Sequence, residues 1–318
     1  LDIFYELKPK LLARSALALG FFDGVHRGHQ SVIKSAVDAA RAAGSPAGLV
    51  TFAEHPRSLT LGKSPPLLTL LPQRLELYAS LGIDATLVLT FSEEICRLSP
   101  RQYVETVLVG ALGAHSVSVG FNHHFGRNRE GNPELLRQLG AELGFGVNVV
   151  EPVSVEGVEV SSSRVREALA EGEVELAEML LGRPYALRSE VISGDGRGRG
   201  LGFPTANMNL TGKQILPAPG VYAGMAGLAD RLFRPCVINL GRRPTISAGQ
   251  ELSAEAHIFD FEGQLYGQEI SLEFWSRLRA EAKFGSLEEL KAQINKDCQA
   301  ARALLPGPSA RHQQALNA

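Results

Sequence analysis

Partway along, the chain changes the rhythm at which it places apolar residues, and that change restricts it to two differently built units. Up to about Leu181, short apolar runs alternate with segments repeating every three to four residues. Ser15 to Phe21, Ala47 to Phe52, Ala85 to Thr90, Ser116 to Gly120 and Gly146 to Val150 read as buried strands. His29 to Ala43, Gln73 to Leu81, Pro100 to Leu112 and Pro133 to Leu143 read as helices; the first carries Val32, Ile33, Ala36, Val37 and Ala40 at helical spacing. This α/β alternation predicts a doubly wound parallel sheet with ligands beyond the carboxyl ends of its strands. From Gly182 to Gly267, glycine and proline instead punctuate short β-branched and aromatic runs: Val221-Tyr222, Pro235 to Leu240, Glu255 to Phe261 and Glu269 to Phe274. These predict a small antiparallel β-barrel. Ser286 and Glu289, spaced as a capping box, open a terminal helix to about Leu304. The expected division is 1–182, 183–305 and a polar tail, 306–318, expected to be disordered.

The 318 residues leave room for two domains, each with its own core. A net charge of −2 supplies no general basic field to gather nucleic acid, so anions must be held by local clusters. Cys96, Cys236 and Cys298 are widely separated and form no CxxC pair, which argues against a disulfide framework and a thiolate zinc site. No apolar run approaches ~18 residues, so no membrane association is expected and the cytoplasm is the expected compartment. The chain begins at Leu1 rather than Met, which leaves room for a short preceding piece.

Two local clusters suit polyphosphate. The first is Gly20-Phe21-Phe22-Asp23-Gly24-Val25-His26-Arg27-Gly28-His29, between a strand and a helix. A helix start offers unsatisfied N–H groups and positive dipole, Gly28 allows close backbone approach, and two histidines can hydrogen-bond phosphate oxygens. A zinc pair is the rival reading, weakened because no third ligand cluster is apparent. Ser161-Ser162-Ser163-Arg164-Val165-Arg166, at another helix start, offers hydroxyls and guanidinium groups to the same anion. The second cluster alternates Gly194, Gly196, Gly198, Gly200 and Gly202 with other residues, then runs into Pro204-Thr205-Ala206-Asn207. It is no dinucleotide fingerprint, and Gly62-Lys63-Ser64 lacks the upstream glycine of a P-loop. Thr205 and Asn207 offer two oxygens to one magnesium ion, a hard cation that binds beside phosphates.

His26-Arg27-Gly28-His29 with Ser161-Ser162-Ser163-Arg164-Val165-Arg166 resembles the nucleotidyltransferase superfamily. The wider context looks like the adenylyltransferase module of bacterial bifunctional riboflavin kinase/FAD synthetases. Thr51-Phe52 with His55-Pro56, and Gly120 to Gly126 with Gly131-Asn132, fit in order. Asn122 stands at an acidic position of that family and His123 at an aromatic one; Phe21 replaces a residue that is polar in many relatives. Gly198 to Asn207 resembles the riboflavin kinase signature. Gly220-Val221-Tyr222-Ala223-Gly224, Asn239 to Thr245, Glu255 to Phe261, Tyr266-Gly267 and Leu278 to Phe284 continue the match.

The resemblance implies two ATP-dependent steps, riboflavin to FMN and FMN to FAD with release of pyrophosphate. For the second step it implies phosphate contacts from Gly20, Phe22, Asp23, His26, Gly28, His29, Ser161, Ser162, Ser163, Arg164 and Arg166, and flavin contacts from His55, Pro56 and Asn122. For the first it implies ATP contacts from Gly198, Gly200, Gly202, Pro204, Thr205 and Asn207, magnesium on Thr205 and Asn207, and Glu255 as general base. Arg279 is expected on the flavin or nucleotide, with a solvated charge as its other reading. The partners implied are riboflavin, FMN and ATP, with no nucleic acid; oligomeric state stays open. A protein that has kept one activity, and a flavin-binding regulator without turnover, are the alternatives.

Overall fold

Five consecutive buried residues, Ser15–Leu19 (β2), lie inside a six-stranded parallel sheet. The structure is a computed structural model that describes residues 1–55, 66–194, 196–244 and 250–310. Pro56, Gly62-Lys63-Ser64, Thr245 and the tail beyond Ala310 lie outside the described residues. By internal contacts the chain divides into Leu1–Ser162 and Ser163–Ala318.

In the first unit β1 (Asp2–Phe4), β3 (Ala47–Phe52), β4 (Ala85–Leu89), β5 (Ala114–Gly120) and β6 (Gly146–Val150) join β2 in the order β1-β4-β3-β2-β5-β6. Every pairing is parallel. From β2 the chain builds outward through β3 and β4, then returns to place β5 on the opposite side. The reversal between β2 and β5 opens a crevice at their carboxyl ends, where ligands of such sheets bind. Helix α1 (Arg27–Ala42) buries the apolar stripe expected of it: Val32, Ile33, Ala36, Val37 and Ala40. Helices α2 (Leu71–Ser80), α3 (Glu93–Arg97), α4 (Pro100–Tyr103) and α5 (Pro133–Leu143) follow in order, α4 continuing as a π-helix over Val104–Ala111. Leu17, Leu19, Leu87, Leu108, Leu136 and Leu139 share one buried cluster. A two-stranded ribbon, β7 (Ser154–Val155) and β8 (Val158–Glu159), turns through Glu156 and Gly157, both at positive φ, as tight hairpins require.

The second unit takes up helix α6 (Ser162–Glu171) after its first residue, then α7 (Val174–Leu181). By internal contacts both helices group with the barrel, whereas the sequence pattern sets its boundary at 182. Both helices are tied to the barrel: the Ala218 N–H donates to the Leu169 carbonyl (2.8 Å), and Arg277 donates to the Glu171 carbonyl (3.1 Å) and to Glu175 (3.3 Å). Strands β9 (Tyr185–Ile192), β10 (Ala206–Met208), β11 (Gly220–Gly227), β12 (Leu232–Pro244), β13 (Gln250–Ile258) and β14 (Glu269–Arg279) close into a six-stranded antiparallel barrel, because β11 pairs with both β12 and β14. Tyr222 and Phe274 meet edge to face inside it (5.3 Å). Helix α8 (Arg197–Leu201) lies between β9 and β10, and α9 (Leu287–Leu304) covers Val221, Ala223 and Val237 on the outside with Ala301.

Two expectations change in detail. Ser286 caps α9 by accepting the Glu289 N–H (3.1 Å), but the Glu289 carboxylate accepts the N–H of Gly285 (2.9 Å) rather than that of Ser286. The tail expected to be disordered from 306 is paired at Ser309–Ala310 (β15), which lies antiparallel to Leu232 and Phe233.

Candidate active sites

In the first unit the loop after β2 builds its site by capping α1 with a ring. His26 Nδ1 accepts the His29 N–H at 3.3 Å, so the proton of the neutral imidazole lies on Nε2. The two histidine rings stack with centroids 3.5 Å apart, and Phe22 meets His29 edge-on at 5.3 Å. Gly28 is what lets His26 fold over the helix: a methyl there would stand 3.2 Å from the imidazole. Phe22 (φ 54°) and Val25 (φ 43°) hold left-handed backbone, a rare state for a bulky or β-branched residue and one that clusters at working sites.

Asp23, expected on phosphate, shapes the loop through its carboxylate. Its buried carboxylate accepts the N–H groups of Leu68 (3.0 and 3.1 Å) and Thr69 (3.0 Å). Ser162, the last residue of this unit, donates its hydroxyl to the Asp23 carbonyl (2.9 Å). Ser163, Arg164 and Arg166 follow on α6, with Arg164 paired to Glu167 at 3.2 Å. His55 follows β3, Phe21 follows β2 and Asn122 follows β5, so the candidate flavin residues flank the histidine loop at the ends of neighbouring strands. Phe21 and His55 meet edge-on at 4.9 Å, and Asn122 is exposed.

Arg74 on α2 was missed from the sequence. It is wholly buried and donates to the carbonyls of Phe21 (2.8 Å), Phe52 (3.2 Å) and Ala53 (3.3 Å), with its guanidinium under the Phe21 ring at 4.4 Å. It thereby joins the loops after β2 and β3. His123 stacks on Phe125 (6.0 Å); burial first, then the charges of His124 and Arg129, push its pKa down to about 4.

In the second unit β10, β13 and β12 bring the chemistry together. Asn207 on β10 lies directly opposite Glu255 on β13, and the Thr205 hydroxyl donates to the Glu255 carboxylate at 3.4 Å. Thr205, Asn207 and Pro204 line one cleft with Gly194, Gly196 and Tyr266. Gly194 has no room for a side chain: a methyl would overlap the Asn207 carboxamide. His257, two residues beyond Glu255, bonds the Pro204 carbonyl through Nδ1 (2.9 Å) and so fastens the loop leading to Thr205. His257 and Tyr266 stand inside segments that resemble the kinase, yet nothing in the sequence said what they touch. The glycine stretch expected as a loop holds a short helix over Arg197–Leu201, with Gly198, Gly200 and Gly202 in or just after it. The Gly198 carbonyl accepts the Phe203 N–H (2.8 Å).

Arg279, expected on the flavin or nucleotide, lies at the end of β14 and is paired to Asp297. Its Nε reaches both oxygens of buried Asp297 (3.1 Å each), Nη2 donates to the same carboxylate (2.8 Å), and Nη1 donates to the Ala280 carbonyl (3.0 Å). The bonds to Asp297 hold α9 to the end of β14. For magnesium the donor set is suitable: Thr205 and Asn207 offer neutral oxygens beside a carboxylate, and ATP would supply the rest of an all-oxygen shell.

Among the described residues no helix is long and apolar enough to cross a membrane. A family model described as FAD synthetase matches residues 8–164, and one described as riboflavin kinase matches 181–305. The chain is 38% identical to a bifunctional riboflavin kinase/FMN adenylyltransferase of Pseudomonas fluorescens, over 96% of this chain and 97% of that one. It is equally identical to its namesake in Bacillus subtilis, over 91% and 92%. A crystal structure from Streptococcus pneumoniae, described as a macrolide-efflux protein, shares the fold with a TM-score of 0.84 at 28% identity, over 95% of this chain and 99% of that one. Two matched domains and such relatives, aligned over nearly their whole lengths, make this chain a member of the bifunctional riboflavin kinase/FMN adenylyltransferase family.

Proposed function

We propose that the barrel phosphorylates riboflavin with ATP to give FMN and ADP, and that the parallel-sheet unit adenylylates FMN with a second ATP to give FAD and pyrophosphate. The observation that carries the first step is Glu255, set opposite Asn207 and bonded by Thr205. Its carboxylate takes the proton of the terminal ribityl hydroxyl as that oxygen attacks the γ-phosphorus, help worth about 10²–10⁴ in rate. Magnesium, when bound with ATP at Thr205 and Asn207, neutralises phosphate charge. His257 holds the Pro204 carbonyl and thereby the Thr205 hydroxyl in place.

In the second step a phosphate oxygen of FMN attacks the α-phosphorus, and the bond to the departing pyrophosphate breaks. His26 donates from Nε2 and the first turn of α1 presents its positive end. His29, Ser161, Ser162, Ser163, Arg164 and Arg166 bear on the phosphates, and His55, Pro56 and Asn122 on the flavin. Asp23 acts by shaping the loop. Two ATP-dependent steps belong where ATP is plentiful, which supports the cytoplasm as the compartment. Small molecules rather than nucleic acid are the partners, in keeping with the net charge of −2.

The test is incubation with riboflavin, ATP and magnesium, with the flavins separated by chromatography. FMN should appear first and FAD after it. His29→Ala should lower FAD formation by ~10² or more while sparing FMN formation, and Glu255→Ala should do the reverse when FMN is supplied. Flavin bound without conversion, or either variant losing both activities while folded, would overturn the assignment.

A further inference from the structure

Asn239 sits mid-strand in β12 between Ile238 and Leu240, which are 0% and 2% exposed, yet its own side chain is exposed. Asparagine is a poor strand former, so its place there calls for a reason. The register supplies one. Asn239 lies directly opposite Glu255, and Glu255 directly opposite Asn207. Directly opposite residues share a face, with Cβ atoms about 4.5–5.5 Å apart. Asn207, Glu255 and Asn239 therefore form one polar row across three strands on the outside of the barrel, while Ile238, Leu240, Ala254 and Ala256 are buried. The row ends at Val221, opposite Asn239 on β11, which is buried in the cluster beneath α9.

Gly241, on the same face, leaves bare backbone beside the amide; a methyl there would lie 3.5 Å from Asn239 Nδ2 and 2.6 Å from a Glu281 carboxylate oxygen. Among the described residues no hydrogen bond holds the Asn239 carboxamide.

The direction of substrate follows from this order. The cleft of Thr205 and Asn207 lies on one side of Glu255 and takes the phosphates. The body of the molecule whose hydroxyl Glu255 deprotonates must leave on the other side, one strand spacing of about 4.8 Å away, over Asn239. A carboxamide both donates and accepts, which matches a hydroxyl that does the same. We propose that Asn239 is a specificity-determining residue of the kinase step, hydrogen-bonding a secondary hydroxyl of the ribityl chain while Glu255 holds the terminal one. The inference rests on the reading of this row as the kinase site.

The experiment measures kcat/KM of the full chain for riboflavin and for its 3′-deoxy and 4′-deoxy analogues at saturating magnesium-ATP, with natural sequence, Asn239→Ala and Asn239→Ser. The natural enzyme should disfavour one deoxy analogue by about 10-fold or more, and Asn239→Ala should bring the two flavins within about 3-fold by losing rate on riboflavin alone. Asn239→Ser, which keeps a hydroxyl, should retain part of the discrimination; KM for ATP should not move. Equal losses on riboflavin and on both analogues would mean that the residue only supports the strand, and would overturn the inference. Riboflavin phosphorylation by the natural chain, and its loss in Glu255→Ala, test the underlying reading separately. A folded natural chain that makes no FMN sinks that reading and the inference with it, whereas FMN without substrate-specific coupling sinks the inference alone.

Discussion

His123 occupies a position where the resemblance expects an aromatic ring, and it packs like one, nearly parallel to Phe125. The difference is that imidazole can take a proton. In the folded chain burial and the nearby charges lower its pKa from 6.5 to about 4. An unfolded chain binds that proton as pH falls through 6.5, but the folded one does so only near 4. Stability is therefore unaffected above 6.5 and falls progressively below it, by on the order of 3 kcal/mol at pH 4. Thermal unfolding followed from pH 7 to pH 4 should show a shallower loss for His123→Phe than for the natural chain. Parallel curves for the two would mean that His123 has no part in acid lability. The side chains that the sequence brought forward in a local pattern lie together in the fold: the His26 and His29 rings stack, and Thr205 and Asn207 line one cleft. Arg74 was not legible, because its acceptors, the carbonyls of Phe21, Phe52 and Ala53, come from distant parts of the chain. A lone arginine on a helix reads as a solvated charge until the fold wraps those carbonyls around it.

At the scale of elements, the clasp between Arg279 and Asp297 fastens α9 to β14, with Gln293 donating to the same carboxylate (2.8 Å). Asp297 is 5% exposed, so its removal leaves a guanidinium in a partly dry site without its counter-charge. Breaking such a pair costs about 3 kcal/mol, which for a unit of this size lowers its melting temperature by roughly 6–12 °C. Asp297→Ala should show that drop in calorimetry of the second unit, with adenylylation of FMN retained. A change under a degree, with riboflavin affinity lost instead, would return Arg279 to the flavin. Elements were legible where length and periodicity were both strong. Ala47–Phe52, Pro133–Leu143 and Gly146–Val150 stand where the apolar pattern placed them. Strand β1 escaped because three mostly exposed residues at a sheet edge carry no apolar signature. Helix α8 escaped because its alternating glycines disfavour a helix, and it persists as a single short turn closed by the Gly198–Phe203 bond.

For the whole molecule, composition and rhythm foretold two units but placed their boundary by where the strand–helix pattern ends. Packing, which the linear pattern does not reveal, groups α6 and α7 with the barrel. Helices α6 and α7 belong to the alternating half by composition. Their bonds nonetheless run to Ala218 and Arg277 of the barrel unit. Leu169, Ala177, Leu180 and Leu181 are all buried. A fragment beginning at 183 would expose the barrel surface those residues cover and remove the Glu171 carbonyl from the Arg277 guanidinium, leaving it, among the described residues, only the Pro219 carbonyl. A fragment spanning 163–318 keeps both. Expressed side by side, the longer fragment should remain monodisperse, unfold cooperatively and phosphorylate riboflavin. The shorter one should aggregate or melt at least about 10 °C lower, since losing two helices removes several buried leucines at about 1.5–3 kcal/mol each. If the two fragments melt together and turn over riboflavin equally, α6 and α7 are a linker, and the boundary belongs at 182 after all.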